Sequence, residues 1–369
     1  MQHRVTLTIH SAHLAKNYRT VREIVQPCEV MPVLKANAYG LGVAPIARAL
    51  IKAGAQRIAV AEPFEALQLV NLGVTIQLLS GILPDEIDEM VANNVVLPIV
   101  SYESAQLISN AAQAQGKIAT VHLKVDTGMG RAGILWQSCP ELLPQILSLP
   151  NLKVEGIFTH FPLAYEKGSD FTKVQLERFY QTLEIAQRLG YQFTYIHAAN
   201  SDAINNAPIT CKSPFNLVRC GINLHGAFDA AGSLRVPLQP VLTMTTRLAQ
   251  IRTLPEDTPI GYGHTFHTER PTRVGTVCAG YADGLPLALS NRGHVIIRGK
   301  KVPIIGRISM DYLTVSLDDV PEATVGDTVT LLGKEGEVEI QVETWAKIKN
   351  THAYDIICSI GSRVERCFC

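Results

Sequence analysis

The segment EVMPVLKANAYGLGVAPIARALIKAGAQRIAVA, residues 29–61, carries the pattern that decides the fold. It begins with a short apolar run, continues with apolar residues three and four positions apart, and ends with a second apolar run. This order is typical of a strand, an amphipathic helix and a second strand. Because the connection is long enough for a crossover helix, the two strands are predicted to be parallel.

The same alternation continues as far as residue 222. Apolar runs rich in branched residues occur at EVMPVLK (29–35), RIAVA (57–61), TIQLLS (75–80), VVLPIV (95–100), ATVHLKV (119–125), LKVEGIFTH (152–160), FTYIHAA (193–199) and NLVRCGI (216–222). The segments between them have helical spacing and end in Gly or Asn. Eight strand–helix units in series predict a closed (β/α)8 barrel of the TIM type, in the α/β class.

The hydrophobic pattern of the sequence changes near residue 236. Segments such as LTMTTRLAQIRTL (242–254) and DTVTLLGKEGEVEI (327–340) alternate Thr and Val with turn residues and have almost no helical periodicity. They predict a mostly-β C-terminal domain at 236–369. The early strand in residues 1–10 has no place among eight barrel strands, so we assign it to the β domain and the barrel to 11–235.

Composition excludes several classes of protein. The 33 basic and 33 acidic residues cancel, so no cationic field favours nucleic acid or an acidic membrane. A hydrophobic content of 47% with 18% charged residues excludes a disordered chain. The eight scattered cysteines contain no CxxC pair, which favours free thiols and predicts no metal site, and no apolar run is long enough to span a membrane. We therefore expect a cytoplasmic protein.

Polar side chains follow the predicted barrel strands. Active sites of such barrels lie at the carboxyl ends of the strands, so these residues are expected to share one rim. They are Lys35, Lys124, Asp126, Arg131, His160, His197, Asn200, Ser201 and Arg219.

Lys35 and Arg219 are the most informative of these residues. A lysine ending an apolar strand either extends to solvent or is desolvated in a pocket, and desolvation yields the neutral amine that Schiff-base chemistry needs. Arg219 lies inside an apolar run and requires a partner, for which a buried ion pair is one alternative. Gly221 and Ile222 follow the eighth strand, where barrels of this type bind phosphate. An imine-forming lysine, an arginine for a ring nitrogen and a phosphate site together describe a pyridoxal phosphate site.

On these residues the chain resembles the alanine racemase family of barrel-type pyridoxal phosphate enzymes over essentially its whole length. In VLKANAYGLG (33–42) the resemblance implies that Lys35 bonds the cofactor and Tyr39 binds its phosphate. In KVDTGMGRAG (124–133) it implies that Arg131 contacts the cofactor and the substrate carboxylate. The motifs THFPLA, IHAANSDA and FNLVRCGINLHG supply further cofactor-binding positions, which are His160, His197, Asn200, Ser201, Arg219, Gly221 and Ile222.

The resemblance extends through the second domain. It implies that Tyr262 in GYGHTF is a second catalytic base and that Tyr354 lies beside the phosphate. Near the substrate it places Tyr281 of GYADGLP and Met310 and Asp311 of GRISMDY. It also implies a homodimer in which these second-domain residues, apart from Tyr354, complete the active site of the partner. Ser309 departs from the family pattern, in which a cysteine is common at that position.

The activity implied is interconversion of L-alanine and D-alanine by two bases, supplying D-alanine for peptidoglycan synthesis. Lys35 would serve the D-alanine face and Tyr262 the L-alanine face, with His160 assisting Tyr262 and His197 orienting Arg219. Lys124 is open to two interpretations, a carbamylated lysine or an ion pair with Asp126. The alternatives are a serine or broad-specificity racemase, a barrel-type pyridoxal phosphate amino-acid decarboxylase, and a non-catalytic carrier of the cofactor. Taken singly, Tyr39, Tyr281, Tyr354 and His160 would each be read as structural residues.

Overall fold

A computed structural model describes residues 3–228 and 236–369; the start of the predicted N-terminal segment and the end of the predicted barrel, at 235, lie outside the described residues. The strands of the amino-terminal part are β1 (Thr6–Ile9), β2 (Glu29–Pro32), β3 (Arg57–Val60), β4 (Thr75–Leu78), β5 (Leu97–Ile99), β6 (Ala119–Asp126), β7 (Ile134–Leu135), β8 (Leu152–Phe158), β9 (Tyr195–His197) and β10 (Leu217–Cys220). Its helical segments are α1 (Ser11–Val25), α2 (Lys35–Tyr39), α3 (Val43–Lys52), α4 (Pro63–Leu67), α5 (Ile87–Ala92), α6 (Tyr102–Ala114), α7 (Cys139–Leu147), α8 (Asp170–Arg188) and α9 (Ser201–Asn206).

The predicted barrel is present and its ring of parallel strands is closed. Strand β2 pairs with β10, β3 with β4, β5 with β6, β6 with β8, and β8 with β9, all parallel. Single parallel bridges, Val33 to Ala59 and Gln77 to Val96, join β2 to β3 and β4 to β5. The Arg219 amide donates to the Ala199 carbonyl at 3.0 Å and joins β10 to the end of β9. Each of the eight predicted apolar runs contains one strand of this ring, so the predicted fold class is confirmed.

The barrel helices follow the sequence signals that predicted them. In α3 the buried residues Ile46, Ala47 and Leu50 form one apolar face toward the strands. Helix α6 begins with a capping box, in which the Ser101 and Ser104 hydroxyls each accept the other residue's backbone N–H at 3.1 and 3.0 Å. Local caps and periodicity therefore define where these helices start and which face they bury.

The second domain is built on antiparallel strands. These are β11 (Leu242–Leu254), β12 (Thr272–Val277), β13 (His294–Ile297), β14 (Lys300–Ile305), β15 (Leu313–Ser316), β16 (Thr328–Glu335), β17 (Val338–Ile340) and β18 (Glu365–Phe368). Pairings from β11 through β12, β15, β14, β13 and β16 back to β11 close a second, smaller ring. Strand β1 pairs antiparallel with β11 and parallel with β18, which places the start of the chain in this domain.

The second domain also contains helices that the sequence pattern did not predict. They are α10 (Val342–Lys349) and α11 (Ala353–Cys358). Each is short, and α10 buries only Trp345 and Ala346, so its apolar periodicity is weak in the sequence. Helix α11 has a functional consequence, because it brings Tyr354 to within 5.9 Å of the Tyr39 ring of the barrel.

Two further observations concern membrane-spanning helices and the state of the cysteines. Among the described residues, no helix has the length and apolar character needed to cross a membrane. All eight cysteines are free thiols, four of them buried.

The packing of α3 against the barrel predicts the effect of shortening one side chain. Ile46→Ala removes a side chain that is 0% exposed, so the free energy of unfolding should fall by about 2–5 kcal/mol. Ile118→Ala is the matched control, since Ile118 is 69% exposed. Urea unfolding followed by far-UV circular dichroism measures both; an equal shift of the two midpoints would contradict this packing.

Candidate active site

A cavity of about 820 Å³ opens at the carboxyl ends of the barrel strands. This volume lies in the range of small-molecule sites, which runs from about 300 to 1,000 Å³. Among the predicted site residues, those that line it are Lys35, Tyr39, Lys124, Arg131, His160, Asn200, Ser201, Arg219, Gly221 and Tyr354. The rim predicted from the strand ends is therefore one physical site, and its cationic side chains favour an anionic ligand.

Lys35 begins a left-handed turn. Ala36, Asn37, Ala38 and Tyr39 have φ between 52° and 62°, a conformation that L-residues adopt at a cost of about 1–2 kcal/mol each. The turn is held by its surroundings, because buried Glu65 accepts the Asn37 backbone N–H at 3.0 Å. The Asn37 side chain in turn accepts the Val43 amide at 2.8 Å. Tertiary contacts thus fix the chain immediately after the lysine.

The Lys35 amine faces the cavity and has no hydrogen-bond partner among the described residues. Its side chain is exposed at the cavity, and the surrounding protein partly desolvates it. This desolvation lowers the pKa of Lys35 below its ordinary value, and the charge of Arg131 lowers it further. The neutral amine that covalent chemistry requires is therefore favoured relative to a surface lysine.

Arg219 is 3% exposed and makes no ion pair with any described residue, so the buried ion pair considered from the sequence is not formed. Its terminal nitrogens donate to the carbonyls of Thr159 at 2.7 Å and Ala198 at 2.9 Å, and to His197 Nδ1 at 2.9 Å. The Nε–H has no acceptor among the described residues, although Arg219 lines the cavity. This donor is available to an acceptor on a ligand.

His160 and Arg131 both line the cavity. Arg219 Nη2 lies 3.3 Å from His160 Nδ1, and since the guanidinium can only donate, the proton of the neutral imidazole is on Nε2. Burial and the charge of Arg219 hold the pKa of His160 well below its usual value. The Asp126 carboxylate accepts the backbone N–H groups of Gly128 and Arg131 at 2.9 and 3.2 Å, which orders the loop that carries Arg131.

Lys124 is 6% exposed and donates to the Leu79 carbonyl at 3.0 Å. It forms no ion pair with Asp126, whose oxygens accept backbone amides instead. Burial, together with the nearby charges of Arg131 and Arg219, lowers the pKa of Lys124 to about 8. Of the two interpretations of Lys124, the ion pair is not what the structure shows.

Tyr39, Ser201 and Gly221 also line the cavity and contact one another. The Gly221 amide donates to Ser201 Oγ at 3.0 Å, and a Cβ at position 221 would collide with the Tyr39 hydroxyl. Burial raises the pKa of Tyr39, so its phenol stays protonated and can donate. Asn200 caps α9 by accepting the Ala203 amide at 2.9 Å. Ile222 is fully buried, so only its backbone can contribute to a ligand site.

Six of the predicted cofactor and substrate residues do not line this cavity; two of them, His197 and Ile222, are fully buried in the barrel, and the other four belong to the second domain. Tyr262, Tyr281, Met310 and Asp311 lie on the surface of the second domain, with Tyr262 72% exposed and Met310 52% exposed. Tyr281 lies beside the segment that carries Met310 and Asp311, because the Tyr281 amide donates to the Ser309 carbonyl at 3.1 Å. None of the four lines the cavity that contains Lys35 of the same chain.

Several residues of the site were not predicted. Glu65 and Asn37 support the lysine turn, and His122 contacts His197 from deeper in the barrel, with His122 Nδ1 2.9 Å from His197 Nε2. The contact between His122 and His197 had a signal in the sequence, because His122 is a polar residue in the otherwise apolar run ATVHLKV. Glu65 had no comparable signal, because acidic residues are common in the first turn of a helix.

Comparison with known proteins places both domains in one family. Residues 9–229 match the description "Alanine racemase, N-terminal domain", and residues 241–368 match "Alanine racemase, C-terminal domain". The alanine racemase of Halothermothrix orenii is 37% identical over 354 residues, covering 95% of this chain and 93% of the relative. That of Methanococcus maripaludis is 35% identical over 374 residues, covering 100% and 99%.

Solved structures agree with these sequence matches. The alanine racemase of Streptomyces lavendulae superposes with a TM-score of 0.92 at 33% identity, covering 100% of this chain and 98% of that one. A Bartonella henselae alanine racemase, described with covalently bound pyridoxal phosphate, superposes with a TM-score of 0.90 at 31% identity, covering all of both chains.

The environment of Lys124 predicts its titration. In buffer free of carbon dioxide, so that Lys124 carries no carbamate, acylation by trace acetic anhydride is followed by peptide mass spectrometry from pH 6 to 11. Lys124 should show half-maximal reactivity near pH 8, since only the neutral amine reacts. Exposed Lys173 is the control, because its contact with Asp170 raises its pKa. Arg131→Gln should move the Lys124 midpoint upward. Coincident midpoints for the two lysines would contradict the burial of Lys124.

Proposed function

Since the chain belongs to the alanine racemase family, we propose that it binds pyridoxal 5'-phosphate and interconverts L-alanine and D-alanine. One observation carries this proposal. The unpartnered Lys35 amine and the free Nε–H of the buried Arg219 open into the same cavity, so a lysine for covalent attachment and a donor for a ring nitrogen are both available there. Residues of both family domains line this cavity, with Tyr354 among those of the second.

The residues of the cavity fit the proposed cofactor. Arg219 Nε–H lacks an acceptor in the protein and could donate to a pyridine nitrogen. Protonated Tyr39, Ser201 and the space left by Gly221 form a small polar cradle suited to a phosphate. Tyr354, carried in by α11, flanks the same cradle. We assign Asn200, His197 and Ile222 to the support of these groups.

Bound in this cavity, pyridoxal phosphate supplies an electron-withdrawing ring that makes the Cα–H of an attached amino acid more acidic. The chain must then move the Cα proton on both faces. Lys35 is placed to do so on the face of D-alanine, and its lowered pKa supports the neutral form that accepts a proton. Arg131 is assigned to the substrate carboxylate.

Tyr262 of a partner subunit is proposed as the base for the face of L-alanine. A phenol acts as a base more readily when a donor stabilises its oxygen, and His160 offers one. Because Arg219 occupies His160 Nδ1, the His160 proton lies on Nε2 and can be donated to that oxygen. We propose this contact as the role of His160.

The same geometry supports a racemase over the decarboxylase considered from the sequence. The residue available to the ring nitrogen is an arginine with no carboxylate near it. A guanidinium donates a hydrogen bond and keeps its proton at neutral pH. It therefore withdraws electrons from the ring less strongly than an acidic partner that protonates the nitrogen.

A homodimer with shared active sites is the proposed assembly. The exposed residues Tyr262, Tyr281, Met310 and Asp311 include large apolar side chains that solvent would normally disfavour. Arg363 orders part of this surface by binding Asp311 at 2.6 Å and Asp283 at 2.7 Å. Facing the cavity of a partner, these side chains would lie close to its substrate.

Further assignments remain proposals on the same basis. We propose that Lys124, with its lowered pKa, is carbamylated in the enzyme and steadies Arg131. We place the domain boundaries at 10/11 and 235/236, and we propose a cytoplasmic enzyme that supplies D-alanine for peptidoglycan.

The first prediction of this proposal concerns Lys35. Protein loaded with pyridoxal phosphate should absorb near the visible range. Borohydride should reduce the bond between the cofactor and Lys35 to a stable secondary amine. Peptide mass spectrometry then locates the labelled lysine. Lys35→Ala should lose both the label and racemisation, whereas Lys52→Ala, on an exposed position of α3, should retain them. Polarimetry with L-alanine measures the activity.

The same assay separates the alternatives. Release of CO₂ from an L-amino acid would indicate a decarboxylase, and cofactor binding with no turnover of any L-amino acid would indicate a carrier. Faster racemisation of L-serine than of L-alanine would favour the serine racemase. Label on a lysine other than Lys35 would refute the assignment of the site.

The second prediction tests the shared site. Lys35→Ala and Tyr262→Phe chains should each racemise alanine slowly, but mixing them through reversible dissociation should restore activity. In a mixed dimer one site combines intact Lys35 with intact Tyr262, so random pairing should recover about a quarter of the wild-type rate. Mixing Lys35→Ala with a Lys35→Met chain is the control and should recover none. No recovery in the first mixture would place Tyr262 in the site of its own chain or outside the mechanism.

A further inference from the structure

A row of buried polar side chains runs through the barrel interior below Arg219. Arg219 Nη1 lies 2.9 Å from His197 Nδ1, and His197 Nε2 lies 2.9 Å from His122 Nδ1. His122 Nε2 lies 3.5 Å from a carboxylate oxygen of Glu155. Both histidines are 0% exposed, so no solvent enters between the links. We call Arg219, His197, His122 and Glu155 the interior relay.

Donor chemistry sets the direction of every link in the interior relay. A guanidinium only donates, so His197 must accept at Nδ1 and carry its proton on Nε2. That proton can only be donated to His122 Nδ1, which places the His122 proton on Nε2. Gln77 reinforces this state, because its amide nitrogen also lies 3.1 Å from His122 Nδ1. The His122 Nε2–H makes no hydrogen bond of good geometry with any described residue, and the carboxylate of Glu155, 3.5 Å away, is the acceptor placed to attract it.

The backbone is shaped to bring Glu155 to this place. The register between β6 and β8 shifts at Val121/His122, so that Val154 and Gly156 pair with successive residues and Glu155 is left out of the pairing. A bulge of this kind changes the direction of a side chain. A Cβ at position 156 would lie only 2.5–2.8 Å from three ring atoms of His122, so only glycine leaves space for that ring. Strand β8 thus accommodates both His122 and the carboxylate.

Glu155 is held as an anion. Arg57 binds it at 3.0 Å and Lys153 at 3.0 Å, and Arg57 is fixed in turn by Gln77 Oε1 at 3.2 Å and by the ring of Tyr195. These contacts keep the pKa of the Glu155 carboxyl far below its ordinary value, with the His122 contact the largest cause. Among the described residues, the titratable and charged groups that face the interior relay, besides its four members, include Arg57, Lys153, Lys124, His160 and Tyr195.

We infer that Glu155 is a positioning residue for Arg219, acting through the tautomers of His122 and His197 from the far end of the barrel. A carboxylate behind an imidazole increases the basicity of the opposite ring nitrogen, as it does for metal-binding histidines. His197 Nδ1 therefore accepts the guanidinium N–H more strongly than an isolated imidazole would. Arg219 is held in one orientation with Nε–H directed to the cavity, although no carboxylate touches it.

The catalytic consequence rests on the proposed function. A guanidinium fixed in this way donates to the cofactor ring and keeps its proton. Loss of the Glu155 charge weakens the hydrogen bond that His197 Nδ1 accepts from Arg219. The guanidinium of Arg219 is then free to adopt more than one orientation. Substrate affinity depends on Arg131 and not on the interior relay, so kcat should respond more than KM.

The first test needs no cofactor. Histidine labelled with ¹⁵N in the unliganded protein should show both His122 and His197 as Nε2–H tautomers, assigned with His122→Gln and His197→Gln. In Glu155→Gln the two Nε2–H proton resonances should move upfield, because a neutral amide polarises them less than a carboxylate. Glu184→Gln, on the exposed face of α8, is the matched control and should leave them unchanged. An unmoved His197 resonance in Glu155→Gln overturns the inference.

The second test uses the loaded enzyme. Glu155→Gln should lower kcat by about tenfold, the lower end of the range for residues that orient a site through another group. It should also alter the absorbance spectrum of the cofactor and leave KM within about twofold. In an Arg219→Lys background the same substitution should lower kcat by less than about twofold, because the group it positions is gone. An equal loss in both backgrounds would assign Glu155 a general structural role and refute the inference.

A third variant tests the inference in case Glu155→Gln does not fold. Should Glu155→Gln fail to fold, Glu155→Asp keeps the charge and the contact with Arg57 but withdraws the carboxylate from His122. It should shift the histidine resonances in the same direction by a smaller amount, and no shift would count against the relay. A wild-type protein that does not racemise alanine would defeat the proposed function alone, since the histidine resonances are read without substrate.

Discussion

A guanidinium buried without a carboxylate is the constraint on which the barrel interior depends. Desolvation of Arg219 is tolerated because each of its terminal nitrogens meets an acceptor, namely the Thr159 and Ala198 carbonyls and His197. Those acceptors come from the ends of β8 and β9, so barrel closure and the position of Arg219 are mutually dependent. The remaining Nε–H is the donor that the protein does not use itself.

Lys35 is positioned in a different way, by the conformation of the backbone that follows it. Its strand ends in a left-handed turn that L-residues do not adopt unaided, and Glu65 and Asn37 supply the hydrogen bonds that maintain it. This turn brings Tyr39 beneath the cavity against Gly221, while desolvation lowers the pKa of Lys35. Lys35 and Tyr39 are therefore the two ends of one strained segment. Strain at this point is balanced by contacts from α4, outside the segment.

Much of this arrangement could be predicted from the sequence. The eight barrel strands were visible as apolar runs, and Lys35 and Arg219 stood out because charged residues are unusual in such runs. His122 in ATVHLKV and Glu155 in LKVEGIFTH are also polar residues in apolar runs, but the sequence assigns them no role. The role proposed for them does not follow from their position in a strand. It depends on a bulge and on a glycine at 156, and neither leaves a periodic signal.

The sequence by itself determined the order of strands and helices, the (β/α)8 class and the residues at the carboxyl rim, because these follow from periodicities within a few neighbouring residues. Only the tertiary structure decided which groups meet. It directed Lys124 to a backbone carbonyl and not to Asp126, brought Tyr354 to the barrel on an unpredicted helix, and left Tyr262 exposed and outside the cavity that contains Lys35. Such contacts join residues distant in the chain, and their partners are set by closure of the ring and packing of the domains, which no local pattern encodes.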